Sequence, residues 1–195
     1  MIPRPAAIVL AAGLSRRMAP RNKLLLPDAH GTPMIARTVD SVLSSRARPV
    51  LVVTGHQGAE IKAALGDRPV TIVPAPDYES GLSASLRAGI SALPPDAGAA
   101  LICLGDMPLV SASDIDTLLD AYDEAEGRLI VVPLHGAKRG NPVLWDRRFF
   151  VAMAGMTGDQ GARKLIELNL EYVAEIELTS EGVVRDFDGP EAVLF

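Results

Sequence analysis

An apolar run that ends in a loop of small and cationic residues constrains the fold more than any other stretch of the sequence. Residues 6–11 read A-A-I-V-L-A, which is typical of a strand buried on both faces of a sheet. Ala12 and Gly13 follow, and Arg17 and Lys23 lie a few positions later. Small residues let backbone N–H groups approach a ligand closely, and cations neutralise its charge. The segment therefore predicts an anion-binding loop at the end of a buried strand.

Strand and helix patterns alternate along most of the chain. The predicted strands, each an apolar run, cover residues 6–11, 49–54, 70–73, 99–104, 129–133, 143–145, 173–178 and 183–187. The predicted helices cover residues 33–43, 59–65, 85–93, 115–122, 146–153 and 161–168. The alternation up to about residue 133 indicates the α/β class, with a parallel, doubly wound sheet. Ligands of such sheets bind beyond the carboxyl ends of the strands.

Three local predictions concern the connections between these elements. Residues 24–27 are expected to form a short extended piece. Thr32 is expected to cap a helix that has Pro33 at its first position. Ser111 or Ser113 is expected to cap the helix that contains residues 115–122.

Composition bounds the class of protein. At 195 residues the chain fits one domain, and with 48% hydrophobic and 22% charged residues it is expected to have a sizeable core. A formal net charge of −5 argues against nucleic acid as a partner. The single Cys103 excludes an intramolecular disulfide, and no apolar run approaches the roughly 20 residues of a membrane span. Because no secretion signal follows Met1, we expect a cytoplasmic protein without membrane contact.

A carboxylate, Asp106, directly follows the predicted strand 99–104 in the segment L-G-D-M-P. A carboxylate at this position suits Mg²⁺, a hard cation that takes oxygen ligands and shares its coordination shell with phosphates. Capping of the helix that follows explains the same residue equally well. The residues alone leave both roles open.

Four polar segments lie further along the chain. They read G-L-S-A-S-L-R-A-G at 81–89, R-G-N-P at 139–142, G-D-Q-G-A-R at 158–163 and D-F-D-G-P-E at 186–191. Taken alone, they are typical of helix caps, loops and an Asp-Gly turn. The three histidines have no metal-ligand spacing, and the G-x-S-x-G motif of serine hydrolases is absent. From the residues alone, a structural role is the better interpretation of these segments.

The first loop resembles a known signature. L-A-A-G-L-S-R-R-M, followed by Lys23 and an apolar-Pro segment, is similar to the signature of the nucleotidylyltransferases. Over nearly its full length the chain resembles the molybdenum cofactor cytidylyltransferase group of the molybdopterin nucleotidyltransferase family. This resemblance implies a Rossmann-like nucleotidyltransferase fold. It also implies a single domain, 1–195, with a nucleotide-binding half at about 1–133 and an acceptor-binding half at about 134–195.

The resemblance assigns roles to individual residues of this sequence. It implies nucleotide contacts from Leu10, Ala11, Ala12, Gly13, Arg17, Lys23, Ser83 and Ser85. It implies catalytic roles for Arg17, Lys23 and Asp106, and metal ligation by Asp106 and Asp188. It implies acceptor contacts from Arg139, Gly140, Asn141, Asp159 and Arg163. The chain departs from the family pattern at Ala19, Asn141 and Gly189, where glycine, histidine and threonine are usual.

The implied reaction is a Mg²⁺-dependent transfer of CMP from CTP to the terminal phosphate of molybdopterin or of its molybdenum-loaded form, with release of pyrophosphate. Mn²⁺ is the alternative metal. CTP is favoured over GTP because L-A-A-G, which contains Ala12, is typical of the cytidylyltransferases, whereas L-A-G-G is typical of the guanylyltransferases. The implied protein partner is a molybdenum hydroxylase or its maturation chaperone.

Three alternatives stay open. The first is a guanylyltransferase, and the second is a nucleotidylyltransferase for a sugar or alcohol phosphate. The third is a non-catalytic protein that binds nucleotide or delivers the cofactor. The R-G-x-P and G-D-x-G-A-R segments argue against a sugar acceptor, because sugar enzymes are not expected to share them. Intact Arg17, Lys23 and Asp106 argue against a non-catalytic protein.

Overall fold

A mixed sheet of eight strands organises the fold. The computed structural model describes residues 5–15, 18, 21–157, 161–185 and 187, and the sheet lies within them. Its strands are β1 (Ala6–Ala11), β2 (Val50–Thr54), β3 (Thr71–Pro74), β4 (Ala99–Leu104), β5 (Ile130–His135), β6 (Lys138–Arg139), β7 (Val143–Asp146) and β8 (Val173–Glu177). The helices are α1 (Met34–Ser44), α2 (Gly58–Leu65), α3 (Leu82–Ser91), α4 (Ala112–Ala121), α5 (Phe150–Ala154) and α6 (Gly161–Glu167). No described helix combines the length and the apolar character that crossing a membrane requires.

The strand order brings several loops to one edge of the sheet. Neighbouring strands follow the order β3-β2-β1-β4-β7-β5-β6, and β8 pairs with β5. β1 is parallel to β2 and β4, whereas β7 is antiparallel to both β4 and β5. β5 therefore runs in the direction of β4, and the carboxyl ends of β1, β4 and β5 share an edge. The prediction of a mostly parallel α/β sheet is confirmed, with β7 as an antiparallel insertion.

β1 separates two apolar layers because successive side chains of a strand point to opposite faces of the sheet. Ala7, Val9 and Ala11 face one layer, in which α1, α2 and α4 pack. Ile8 and Leu10 face the other layer, which α3, α5 and α6 cover. All six residues of the strand are buried. This double burial explains why the run is apolar at every position rather than at every second one.

Two segments predicted as extended contain 3₁₀ turns instead, so both predictions are wrong. In the segment 24–27, Lys23–Leu25 is a 3₁₀ turn, which the side chain of Asn22 starts by accepting a hydrogen bond from the Leu24 N–H. In the segment 183–187, Glu181–Val184 is a 3₁₀ turn that begins after Ser180. In both cases a polar side chain at the start of the turn decides the backbone conformation, although each turn contains apolar residues that suit a strand.

The start of α1 also differs from the prediction. Pro33, not Thr32, immediately precedes the first helical residue, and no side chain caps this helix. The Thr32 N–H donates instead to Asp28 Oδ1 at 2.9 Å. Asp28 therefore stabilises the turn before the helix, and the expected cap at Thr32 is wrong.

Two other helices begin away from the predicted residue. α3 begins at Leu82 instead of residue 85, directly after Gly81, whose φ of +102° suits glycine. The helix predicted at 146–153 begins as the 3₁₀ turn Arg147–Phe149, and Asp146 caps that turn. The prediction for α4 is confirmed, because Ser111, one of its two candidates, caps it with a capping box.

Two glycines let the segment 181–184 pack beside the shared edge of the sheet. A Cβ atom at Gly140 would lie 2.1 Å from the carbonyl oxygen of Val183. A Cβ atom at Gly182 would lie 2.5 Å from the carbonyl oxygen of Leu109. Both distances are too short for any side chain, so the two glycines allow the loops after β4 and β6 to contact the C-terminal part of the chain.

Candidate active site

A cavity of about 620 Å³ opens at the carboxyl ends of β1 and β4. This is the position at which parallel α/β sheets bind their ligands. The loop after β1, the start of α3 with the turn before it, and the loop after β4 line the cavity. The predicted nucleotide-binding and catalytic residues among its lining are Leu10, Ala12, Gly13, Lys23, Ser85 and Asp106. The structure thus brings together six residues that are up to 96 positions apart in the sequence.

Lys23 and Asp106 form an ion pair inside this cavity. The Nζ atom of Lys23 lies 2.5 Å from Oδ2 of Asp106. Each side chain is 16% exposed, so the pair is largely shielded from water but still reached by it. The cavity therefore contains an ammonium group, which can bind an anion, and a carboxylate, which can bind a cation.

Close packing positions Asp106 at the end of β4. The preceding residue, Gly105, donates its N–H to the carbonyl oxygen of Leu10 at 3.0 Å. A Cβ atom at Gly105 would lie 3.0 Å from that same oxygen. Thr38 of α1 donates its hydroxyl to the carbonyl oxygen of Gly105 at 3.1 Å. The backbone before Asp106 is therefore held from two sides, which directs the carboxylate into the cavity.

A hydrogen-bonded pair, Ser15 and Asn22, positions Lys23. Ser15 Oγ donates to Asn22 Oδ1 at 3.2 Å and accepts the N–H of Lys23 at 3.3 Å. Asn22 Oδ1 also accepts the N–H of Leu24. Ser15 has a φ of +46°, a conformation that non-glycine residues rarely adopt without such support. The pair closes the loop after β1 and fixes the residue that precedes Lys23.

The serines of the 81–89 segment do not cap a helix. Both lie within the first half of α3, where Ser83 is 5% and Ser85 4% exposed. Ser85 lines the cavity, whereas Ser83 is buried outside its lining. The prediction that these serines cap the helix is therefore wrong.

Ala11, for which a nucleotide contact was predicted, is likewise buried, as the last residue of β1.

A second cavity of about 570 Å³ holds the predicted acceptor residues Arg139 and Arg163. It lies where β6 folds back on the end of β5, on the edge that β4 and β5 share. Arg139 Nε donates to Glu175 Oε1 at 2.6 Å. Asn141 donates its N–H to the carbonyl oxygen of Val183, and Gly140 is buried by the contact already described.

Three predicted site residues, Arg17, Asp159 and Asp188, lie outside the described residues. Sequence reasoning also missed residues that the structure places at the first cavity. The clearest are Tyr78 and Gly81 in the turn before α3, together with Ser15. Gly81 and Ser15 belong to motifs that were noticed for other residues, whereas no pattern in the sequence pointed to Tyr78.

Three described residues with shifted pKa values, Cys103, Tyr122 and Asp28, lie outside the lining of the first cavity. Burial raises the pKa of the Cys103 thiol to about 12, which is the behaviour of a packed and unreactive cysteine. Desolvation, together with the hydrogen bond to Asp146, raises the pKa of the Tyr122 hydroxyl. The hydrogen bond from the Thr32 N–H lowers the pKa of Asp28. These shifts belong to the scaffold rather than to the candidate site.

The fold and the cavity together define a class of enzyme. A mostly parallel α/β sheet presents a small-residue loop, an ammonium group and a carboxylate at one edge. This combination is that of a nucleotidyltransferase with a Rossmann-like fold. The chain belongs to the family of MobA-like NTP transferase domains, whose family model matches residues 7–176.

Similar proteins agree with this assignment. Molybdenum cofactor cytidylyltransferase of Escherichia coli (strain K12) is 26% identical over 185 residues, which is 94% of this chain and 91% of that protein. The crystal structure of Rv0371c from Mycobacterium tuberculosis H37Rv has a TM-score of 0.84 at 25% identity, over 98% of this chain and 96% of that one. The structure of its complex with manganese has a TM-score of 0.75 at 24% identity, over 90% and 88% of the two chains. The predicted family, fold and enzyme class are confirmed.

Proposed function

We propose that this protein transfers CMP from CTP to the terminal phosphate of molybdopterin, or of its molybdenum-loaded form, and releases pyrophosphate. The observation that carries the proposal is the contact between Lys23 and Asp106 within the cavity. Transfer between phosphates needs a cation for the triphosphate and a carboxylate for a divalent metal at one place. The similarity to the cytidylyltransferase of Escherichia coli supports the choice of nucleotide and acceptor.

The loop after β1 holds the triphosphate in this proposal. Gly13 is exposed, and a Cβ atom there would meet nothing within 4 Å, so the backbone is accessible to a ligand. Lys23 supplies a positive charge beside it, and we assign the same role to Arg17. An oxygen of the acceptor phosphate bonds to the α-phosphorus as the bond from that phosphorus to pyrophosphate breaks. The acceptor is already an anion, so no strong general base is required.

A divalent cation fits the donors present. Among the described residues no cluster of three or more His, Cys, Asp or Glu could hold a metal. Mg²⁺ needs only one or two carboxylates when phosphates and water complete its shell, and Asp106 meets that requirement. We assign Asp188 as the second carboxylate because the segment D-F-D-G-P-E at 186–191 resembles the ending of this family. Bound Mg²⁺, or Mn²⁺, would neutralise the charge that develops on pyrophosphate.

The second cavity is the side for the acceptor in this proposal. Arg139 and Arg163 line it and would pair with a phosphate or with the anionic sulfurs of the pterin. Glu175 now holds Arg139, so an anionic acceptor competes with that carboxylate. The product would pass to a molybdenum hydroxylase or to its maturation chaperone.

An assay of pyrophosphate release tests the proposal. Purified protein is incubated with Mg²⁺, molybdenum cofactor and one of the four nucleoside triphosphates. Release is expected with CTP and only when the cofactor is present. Asp106→Ala is expected to lower kcat by roughly 100-fold or more. The matched control is Asp67→Ala, which removes an exposed carboxylate between α2 and β3, at the opposite edge of the sheet.

Other outcomes of the same assay contradict the proposal. Pyrophosphate release with GTP and cofactor, but not with CTP and cofactor, would make the protein a guanylyltransferase. Release with a sugar phosphate in place of the cofactor would assign a different acceptor. Nucleotide binding without any release would support a non-catalytic role.

A further inference from the structure

Tyr78 is wedged between the ends of two strands at the first cavity. The ideal Cβ position of Gly55, just after β2, lies 2.5 Å from Tyr78 Cγ and 2.6 Å from Tyr78 Cβ. The same position lies 2.9 Å from the Cβ atom of Ala12, just after β1. Only a glycine at residue 55 leaves room for this arrangement. Gly55, Ala12 and Tyr78 therefore form one packed unit, which we name the tyrosine slot.

Within the tyrosine slot, Tyr78 is the member best placed to meet a ligand. Tyr78 is partly exposed and lines both the first cavity and a neighbouring one of about 560 Å³ beside α2. Tyr78 is thus shared by the linings of the two cavities. Ala12 is only 3% exposed and packs in the same apolar cluster as the ring. The Cβ atom of Ala12 and the Tyr78 side chain flank the same point beside Gly55, although Ala12 also belongs to the lining of the first cavity.

We infer that Tyr78 sets the width of the nucleotide cavity and hence the choice of base, and that Ala12 acts on this choice through the Tyr78 ring. The inference rests on the proposed function in that it takes the first cavity as the nucleotide site. Glycine in place of Ala12 removes the methyl group that supports the ring. Without that support the ring is no longer held at the wall of the first cavity, so a purine can displace it and gain space.

A double-mutant cycle on nucleotide binding tests this inference. The dissociation constants of CTP and GTP are measured in Mg²⁺, without acceptor, for wild type, Ala12→Gly, Tyr78→Ala and the double variant. Ala12→Gly alone is expected to shift the CTP-to-GTP preference by about tenfold towards GTP. In the Tyr78→Ala background, the same change is expected to shift it by less than about twofold, because the supported ring is gone.

An equal shift in both backgrounds would overturn the inference, because Ala12 would then act on the base directly. No shift from Ala12→Gly in wild type, or no change of preference from Tyr78→Ala, would overturn it as well. Tyr78→Phe is expected to keep the CTP-to-GTP preference of wild type, because the ring and not the hydroxyl sets the width of the cavity. Tyr78→Leu replaces Tyr78→Ala if the smaller residue prevents folding.

Two further variants complete the experiment. Gly55→Ala is expected to displace the ring and weaken CTP binding by about tenfold or more, because its methyl group would overlap Tyr78. Asp67→Ala is the control, since Asp67 is exposed and belongs to the lining of neither cavity that Tyr78 borders. The binding preference is read without acceptor, so it remains measurable if the pyrophosphate assay refutes the proposed reaction.

Discussion

The Nζ atom of Lys23 lies 2.5 Å from Oδ2 of Asp106, although 83 positions separate the two residues in the chain. Lys23 belongs to the loop after β1, and Asp106 follows β4, the strand that pairs with β1. Neighbouring parallel strands carry their carboxyl ends to the same edge, so the two loops meet. The pair brings the cation proposed to bind the triphosphate into contact with the carboxylate proposed to hold the metal.

The first prediction follows from this contact: Lys23 and a divalent cation compete for Asp106. In the absence of nucleotide, Lys23→Met is expected to bind Mn²⁺ about three to ten times more tightly than wild type, because the neutral side chain no longer occupies the carboxylate. Water-proton relaxation or Mn²⁺ resonance measures the affinity. Asp106→Asn should remove the site. Equal affinity in wild type and Lys23→Met would show that the ammonium does not compete.

The second prediction concerns the Ser15–Asn22 pair. Ser15→Ala and Asn22→Ala are each expected to raise the KM for nucleotide and to lower the free energy of unfolding by about 1–2 kcal/mol, because each removes hydrogen bonds that close the loop before Lys23. The double variant should lose less free energy of unfolding than the two single variants lose together, since both residues belong to one hydrogen-bonded pair. Steady-state kinetics and denaturant unfolding measure the two effects.

Asn169→Ala is the control for this experiment. Asn169 donates to the carbonyl oxygen of Leu165, at the end of α6 and outside the cavity lining. It is expected to change stability without changing KM. A double variant whose KM change equals the product of the single changes would mean that Ser15 and Asn22 act independently.

The third prediction concerns the two glycines that hold the segment 181–184. Gly140→Ala and Gly182→Ala are each expected to lower the free energy of unfolding by about 1–3 kcal/mol or more, because the added methyl groups would overlap backbone oxygens. Gly155→Ala is the matched control, because its nearest neighbour would lie at 3.5 Å and its φ of −83° suits alanine. Thermal or denaturant unfolding compares the three. Unchanged stability in Gly140→Ala would refute the close packing.

The fourth prediction concerns Cys103, the single cysteine of the chain. Burial raises its pKa to about 12, so a thiol reagent at pH 8 is expected to react slowly with the folded protein. After guanidinium is added, the reagent is expected to modify one thiol per chain. The folded state keeps the proton above the ordinary thiol pKa of about 8.5, where the unfolded state loses it. Stability should therefore fall as the pH rises from about 8.5 towards 12.

Cys103→Ala should remove this contribution to the pH dependence, at the cost of a small cavity in the core. Rapid labelling of the native wild-type protein at pH 8 would contradict the burial of the thiol. Denaturant unfolding of wild type and variant between pH 8 and pH 10 measures the difference in slope.

The strands could be predicted wherever their residues are apolar on both faces of the sheet. Residues 6–11 and 99–104 were predicted with the observed limits because each is a continuous apolar run, the first preceded by Pro5 and the second lying between Gly98 and Gly105. The 3₁₀ turns Lys23–Leu25 and Glu181–Val184 could not be predicted in this way. Their apolar residues fit a strand as well, and the hydrogen bonds that Asn22 and Ser180 accept from backbone N–H groups decide between the two conformations.

The charged residues of the candidate site were easier to predict than its uncharged walls. Asp106 stands out because it follows an apolar run, and Lys23 because it lies in the polar loop after another one; burying either charge without a partner is costly. Tyr78 has no such signal, since an aromatic residue in a turn fits an ordinary core position. Its importance depends on Gly55 and Ala12, which approach it only after β1 and β2 pair.

Local order along the chain was enough to predict the α/β class and an anion-binding loop and to carry the resemblance to the family, because these depend on residue type and spacing. Folding alone decided which residues meet: Lys23 with Asp106, and Tyr78 with Ala12 and Gly55. It also inserted β7 antiparallel between β4 and β5. Such contacts depend on strand order and on the space that remains when side chains pack, and neither quantity is contained in any short stretch of sequence.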